Sequence, residues 1–204
     1  MDISVLAIAG SPRRHGNSED LLDYVIGYLS GHPGIVVEKI ILSKIEVNPC
    51  RGCNACEKEG ICVINDDMKM LEDKITGADV IIFSSPIFCM GLCAQVKALI
   101  DRMQVFRSRR YVLKQPIIPT EKRGKKAGLF ISTAGQDWDW VFDGAIPSVK
   151  CFFHLAGIRD KDMFYLMINN VDKKGEIRAH PTAKQQALKA CEDIAVHIRR
   201  LREE

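Results

Sequence analysis

The sequence predicts an α/β fold: a doubly wound, five-stranded parallel sheet of order 2-1-3-4-5, built as a single domain over residues 1–204. Three observations carry that expectation. Short apolar runs alternate with amphipathic segments of helix length. The runs are apolar almost without interruption, as strands covered on both faces must be. No repeat, low-complexity tract or linker divides the 204 residues. In such sheets the ligand crevice lies beyond the carboxyl ends of the strands.

The elements follow in order. "ISVLAIAG" (3–10) reads as the first strand. The opening "MDISVLAIAG" has no basic region before its apolar stretch and runs straight into turn residues, so a buried strand is expected there rather than a secretion signal. "SEDLLDYVIGYLSG" (18–31) sets Leu21, Leu22, Val25, Ile26 and Leu29 on one helical face, with Asn17 or Ser18 as cap. "IVVEKIIL" (35–42) is the second strand and "DDMKMLEDKITGA" (66–78) the second helix. "DVIIFSSP" (79–86) precedes the helix "GLCAQVKALIDRMQVF" (91–106). "KAGLFIST" (126–133) precedes "WVFDGAIPSVKCFFHLAG" (140–157), where Pro147 is expected to kink or split the helix. "DMFYLMIN" (162–169) completes the sheet, and Pro181 suits the first turn of a last helix over 181–204.

Composition narrows the class. The formal charge of +3 is too mild to argue for nucleic acid or membrane binding. No apolar run approaches the ~18 residues that cross a bilayer. A cytoplasmic protein with reduced thiols is expected, which disfavours disulfides.

Two connections are long for this topology, 43–66 and 107–125, and loops of such length are usually functional. The second is basic: Arg107, Arg109, Arg110, Lys114, Lys122, Arg123 and Lys125 face only Glu121. It reads as a solvated loop, as a docking surface for an acidic electron donor such as a ferredoxin, or as a subunit contact.

"GSPRRHGNS" (10–18) joins the first strand to the first helix, where doubly wound proteins bind phosphate. It matches neither the dinucleotide fingerprint nor the nucleoside-triphosphate loop. Ser11, Arg13, Asn17 and Ser18 offer hydroxyls, an amide and a cation at a helix N-terminus, the set a terminal phosphate dianion needs. Arg14 and His15 are expected to face solvent.

G-S-P-R-x-x-x-N-S, followed by "SSPIFCMGLCAQVKALIDR" (84–102), resembles the NADPH-dependent FMN reductase group of the flavodoxin-like superfamily. The resemblance covers almost the whole chain. It implies that Ser11, Arg13, Asn17 and Ser18 bind the FMN phosphate. It also implies that Pro86, Ile87, Phe88 and Gly91 line the isoalloxazine, with Thr133, Ala134 and Gly135 opposite. Phe88 stands where a Tyr is often found, so a ring contact survives without its hydroxyl. Independently, Gly91 and Gly135 let backbone approach a planar ligand. Cys89, Cys93, Cys151 and Cys191 read as packed thiols, and Trp138 and Trp140 as core or interface residues.

"PCRGCNACEKEGIC" (49–62) places Cys50, Cys53, Cys56 and Cys62 in a C-x2-C-x2-C-x5-C rhythm. Zinc prefers two separate C-x2-C knuckles, whereas two successive x2 intervals followed by a more distant cysteine suit a 4Fe–4S cluster. Zinc and a metal-free loop stay open as alternatives on the residues alone. Set beside the FMN motifs, the cysteines, together with "VINDDM" (63–68), resemble the iron–sulfur flavoproteins. That resemblance implies a homo-oligomer, a dimer or commonly a tetramer. The function expected is that of an FMN and 4Fe–4S oxidoreductase passing electrons between a ferredoxin-like donor and an acceptor, with no acid–base residue named. The rivals are an NAD(P)H-dependent FMN or quinone reductase with structural cysteines, and a non-enzymatic redox or metal sensor.

Overall fold

The computed structural model describes residues 2–203; Met1 and Glu204, the ends of the first apolar stretch and of the last expected helix, lie outside them. The strands are β1 (Ile3–Ala9), β2 (Ile35–Ile41), β3 (Val80–Phe88), β4 (Gly91–Leu92), β5 (Ala127–Thr133) and β6 (Met163–Ile168). The helices are α1 (Asn17–Ser30), α2 (Cys56–Glu59), α3 (Met68–Gly77), α4 (Ala94–Arg102), α5 (Gln104–Arg107), α6 (Ile146–Leu155) and α7 (Ala183–Glu203). The parallel order is β2-β1-β3-β5-β6, with β4 paired antiparallel to the end of β3 alone. Setting β4 aside, this is the expected 2-1-3-4-5 sheet.

Successive strand residues face opposite sides of a sheet, and here both sides are covered. Leu6, Ile8, Ile81, Phe83 and Phe130 pack with residues of α3, α4 and α6. Val5, Ala7, Ile82, Leu129 and Ile131 pack with residues of α1 and α7. Phe83 anchors the first layer, its ring 4.9 Å from Phe130, 5.1 Å from Phe152 and 5.3 Å from Phe153. Among the described residues no helix is long and apolar enough to cross a membrane.

Several local expectations are corrected. Pro147 falls in the first turn of α6, where its missing N–H costs nothing, so residues 140–145 form turns and the helix neither kinks nor splits. Pro181 stands just before α7. The segment 91–106 is shorter as a helix, because β3 and β4 form a hairpin and the chain breaks at Met103 between α4 and α5. Beyond α5 a π-helical turn, Ser108–Val112, occupies the start of the expected basic loop.

Candidate functional site: a carboxyl-edge crevice and a cysteine-lined cavity

Three loops meet at the carboxyl ends of the central strands. Gly10 follows β1 and donates its N–H to the Ser84 carbonyl of β3 at 2.9 Å. A Cβ at Gly10 would stand 2.1 Å from Val96 Cγ2 and 2.4 Å from Ser84 O, so only glycine permits this approach. The Cys93 thiol reaches the Gly10 carbonyl at 3.1 Å, and the Ser84 hydroxyl at the same junction is buried without a partner.

The loop then turns into α1. Its cap is Gly16 rather than Asn17 or Ser18, and no side chain satisfies the first turn. The leading amides of a helix have no intrahelical acceptor, so this terminus stays open to an anion. Ser11 and Ser18 are buried beside it. The Ser11 hydroxyl accepts from the Arg13 amide at 3.1 Å, closing the turn. Arg13 is exposed and donates through Nη2 to the Asp172 carbonyl at 3.0 Å. Asn17 is committed elsewhere: its amide donates to Lys173 O and accepts from Gly175 N and Ile177 N. It thereby ties the loop after β6 to the start of α1, leaving its backbone N–H for the anion. His15 is exposed, with a left-handed φ of 53°. Arg14 does not face solvent as expected. It folds back onto the buried carboxylate of Glu19, which also receives Lys39. Burial raises Glu19's pKa, but Lys39, the His15 amide and Arg14 outweigh it and hold the carboxyl below its ordinary range.

Pro86, Ile87 and Phe88 end β3, and the register pairs Pro86 with Thr133 of β5. The Ser132 hydroxyl donates to Ser85 O at 2.8 Å, locking the two strand ends together. Phe88 and Gly91 flank a two-residue turn in which Cys89 (φ 46°) and Met90 (φ 65°) are both left-handed. Mirror-image hairpin turns demand that geometry and usually recruit Asn or Gly. Nothing in the pair Cys-Met signals it. Ala134 packs with Val141, Phe142, Ile87 and Met90, so the loop after β5 covers the hairpin. Gly144 lies against it so closely that a Cβ there would stand 2.1 Å from Met90 O. Gly135 approaches Asp172, the residue whose carbonyl Arg13 reaches. The expected phosphate and ring residues thus lie on the loops that follow β1, β3 and β5, and the segment 172–177, which the sequence did not signal, meets the first of them through Arg13 and Asn17. Trp138 and Trp140 are exposed and stacked, centroids 5.1 Å apart and planes 17° from parallel, which removes the core alternative for them.

The cysteines form a second site. Asp66 and Asp67 zip its loop shut at the base, accepting from the amides of Asn48 (2.9 Å) and Glu46 (2.8 Å). Gly52 (φ 63°), Asn54 (57°) and Gly60 (72°) supply left-handed backbone that coils the loop upon itself. Cys50, Cys53, Cys56 and Cys62 all line one cavity of about 510 Å³. They are free thiols, and Cys53 is exposed. Among the described residues no three His, Cys, Asp or Glu side chains stand close enough to hold a single metal ion. All four cysteines line that one cavity, and a polynuclear cluster with several iron corners would take thiolates spread around a volume. The Ser108 hydroxyl lies 3.2 Å from Cys56 Sγ, and the Ile64 amide donates to Cys62 Sγ at 3.5 Å.

The cavity wall holds an ion pair that sequence reasoning missed. Arg102 and Asp66 are almost wholly buried and joined through both carboxylate oxygens, while Arg102 also donates to Asn48 O at 2.9 Å. Burial opposes the charge of each, but their mutual hydrogen bonds win: Asp66 is held below its ordinary pKa and Arg102 above. Part of the basic segment is likewise paired within the chain. Arg107 pairs with Glu57, Arg109 with Glu72 and the Gly60 carbonyl, Arg110 with the His154 carbonyl, and Lys122 with Asp79.

Residues 3–139 match the NADPH-dependent FMN reductase family. An iron–sulfur flavoprotein of Methanosarcina thermophila is 33% identical over 157 residues, 76% of this chain and 82% of that protein. One of Archaeoglobus fulgidus is 35% identical over 133 residues, covering 65% of this chain and a little over half, 56%, of that longer relative. In fold, the chain resembles an NADH:FMN oxidoreductase in its apo form, with TM-score 0.58, 17% identity and coverage of 94% and 89%.

Proposed function

The chain belongs to the NADPH-dependent FMN reductase family, and on that footing we propose an oxidoreductase that holds FMN in the carboxyl-edge crevice and a 4Fe–4S cluster in the cysteine-lined cavity. The observation that carries this reading is the joint presence of an uncapped α1 terminus at the crevice and four free thiols around one cavity. The FMN phosphate would rest on the first turn of α1. Ser11, Ser18, the Asn17 backbone N–H and Arg13 would supply its donors and its cation. Pro86, Ile87, Phe88 and Gly91 would line one side of the ring, with Thr133, Ala134 and Gly135 on the other. Cys50, Cys53, Cys56 and Cys62 would ligate the cluster as thiolates. When bound, the flavin supplies two-electron chemistry and the cluster one-electron transfer. The chain's own work is to position both and to control their surroundings.

Finer assignments extend this reading. A ferredoxin-like donor suits the cluster site, where Arg51 and Arg107 stand exposed at the cavity. Assembly as a dimer or tetramer suits the exposed Phe88, Trp138 and Trp140 beside the crevice. A cytoplasmic setting suits eight free cysteines. The family match also favours a second reading, an NAD(P)H-dependent reductase with structural cysteines.

Anaerobic purification followed by flavin, iron and sulfide analysis tests the proposal. One FMN and about four irons per chain are expected, by cluster stoichiometry. One zinc, or no metal after anaerobic reconstitution, overturns the cluster; absence of flavin after reconstitution overturns the crevice assignment. Rapid hydride transfer from NAD(P)H by a protein lacking iron would establish the second reading instead.

A further inference from the structure

Arg102 does more than close a salt bridge. Its side chain is only 2% exposed, yet it lines the same cavity as the four cysteines. Two of its three nitrogens are taken: Nη1 by Asp66 and Asn48 O, Nη2 by Asp66. Nε is buried with no hydrogen-bond partner at all. An unsatisfied donor in a buried guanidinium is costly, and a structural ion pair alone gives no reason to keep one there. Cys62 is the thiol beside it: the two share the walls of a second cavity as well.

Ser108 repeats the pattern on the other side. It is 1% exposed, placed by the π-helical turn, and its hydroxyl lies 3.2 Å from Cys56 Sγ. A thiolate can only accept, so with the cysteine ligating, Ser108 must be the donor. Reduction potentials of iron–sulfur sites depend on net local charge and on hydrogen bonds to the sulfurs. Outer groups of this kind also govern metal retention.

We infer that Arg102, clamped by Asp66, is a positioning residue whose fixed positive charge raises the reduction potential of the cluster held by Cys50, Cys53, Cys56 and Cys62, with the Ser108 hydroxyl as a second donor. The inference rests on the cluster assignment above. Arg102 favours the reduced form because one added electron increases the negative charge that its guanidinium faces. Asp66 holds the guanidinium still, so the effect needs no rearrangement when the electron arrives from reduced flavin or from an external one-electron donor.

The test is an EPR-monitored redox titration of the anaerobic holoprotein in wild-type, Arg102→Gln, Arg102→Lys and Ser108→Ala forms, with the FMN couple as internal control. Arg102→Gln should lower the cluster's reduction equilibrium constant about tenfold, a shift of about 59 mV to more negative potential for one electron. Arg102→Lys, which keeps the charge, should titrate near wild type, Ser108→Ala should shift the same way by less, and the FMN couple should stay in place. A cluster reduction equilibrium constant in Arg102→Gln within twofold of wild type overturns the inference, as does an equal shift in the Lys and Gln variants. If the Gln variant retains FMN but takes up no iron, the Lys variant decides. Full iron at the wild-type potential supports the charge, while loss of iron there too assigns Arg102 to packing. Absence of iron and sulfide from the wild type would instead defeat the underlying cluster assignment.

Discussion

At the scale of single residues, the crevice depends on a close approach that only glycine makes possible. Gly10 lets the end of β1 meet β3 and turn into the anion loop. In Gly10→Ala the new methyl would collide with the side chain of Val96 and with the backbone oxygen of Ser84, and backbone cannot step aside cheaply. Overpacking of this kind costs about 1–3 kcal/mol. For a domain of this size each kcal/mol moves Tm by about 2–4 °C. Calorimetry of Gly10→Ala should therefore show a Tm lower by several degrees, and FMN should bind more weakly because the loop is displaced. A Tm equal to wild type would mean that the approach is looser than it is here. Arg109 is the corresponding residue at the cysteine loop. Its Nε holds the Gly60 carbonyl at 2.6 Å and its Nη2 meets Glu72 at 3.1 Å. Arg109→Ser should loosen the turn between Cys56 and Cys62, so that iron is lost to a chelator several-fold faster while FMN content is unchanged. Equal rates of iron loss would return Arg109 to the solvated loop that its neighbourhood in the sequence suggests.

At the scale of elements, α3 shows how a charge holds a helix in register with the sheet. Lys126, just before β5, is wholly buried, and its Nζ donates to the carbonyls of Ile75 (2.8 Å), Thr76 (3.1 Å) and Ala78 at the end of α3. A cation at a helix C-terminus meets orphan carbonyls and the negative end of the dipole. Burial, with Lys122's charge beside it, pushes the Lys126 pKa down to about 7, whereas three acceptors around one nitrogen favour the ammonium. The acceptors prevail, because a neutral amine has only two hydrogens for three carbonyls. Lys126→Met keeps the bulk and strands those carbonyls, each unsatisfied polar group costing about 1–3 kcal/mol. Urea unfolding should register a loss of at least about 2 kcal/mol on that basis, and hydrogen exchange should rise first in α3. Unchanged protection in α3 would show that the helix is held by its apolar face alone. The α5 and π-helical segment acts in the same manner: it sets Ser108, Arg107 and Arg109 around the cysteine loop, so the basic stretch serves as a clamp.

At the scale of the whole molecule, buried ion pairs join distant parts of the chain and make its stability depend on acid. Burial raises the pKa of Asp66, but Arg102 and the amides of Asn48 and Met68 outweigh it; burial raises Asp79 too, and Lys122 and Ser4 outweigh it there. Both carboxyls end below their ordinary range, so the unfolded chain takes up protons before the folded one does. Their contribution is complete above the unfolded value near ~4 and is lost as pH falls through the folded values. Glu72 runs the other way, raised by burial despite Arg109 and Arg102, and offsets part of the slope. Denaturant unfolding should therefore show stability declining steadily below about pH 5, with a shallower decline in Asp66→Asn, which starts from a lower value at neutral pH. A decline of the same slope in both proteins would place the acid sensitivity elsewhere.

Period and spacing are local properties, and whatever depends on them was legible in the sequence. Continuous apolar runs, alternating with amphipathic helices, marked the five parallel strands and their order. The cysteine rhythm named four thiols that do line one cavity. What the sequence could not carry is the meeting of groups far apart along it. Asp66 and Arg102 stand 36 residues apart, Cys56 and Ser108 stand 52, and Asn17 and Lys173 stand 156. None of these pairs leaves a periodic trace, because each side chain is chosen for a partner that only the folded sheet brings near. The hairpin at Cys89 and Met90 is hidden for the same reason. Two residues with no local preference for left-handed backbone adopt it because packing under Gly144 and against Ala134 outweighs their propensity. The residue types thus determined which chemistry this chain can hold, and tertiary packing decided which charges and hydroxyls surround it, since those contacts exist only once distant segments share a wall.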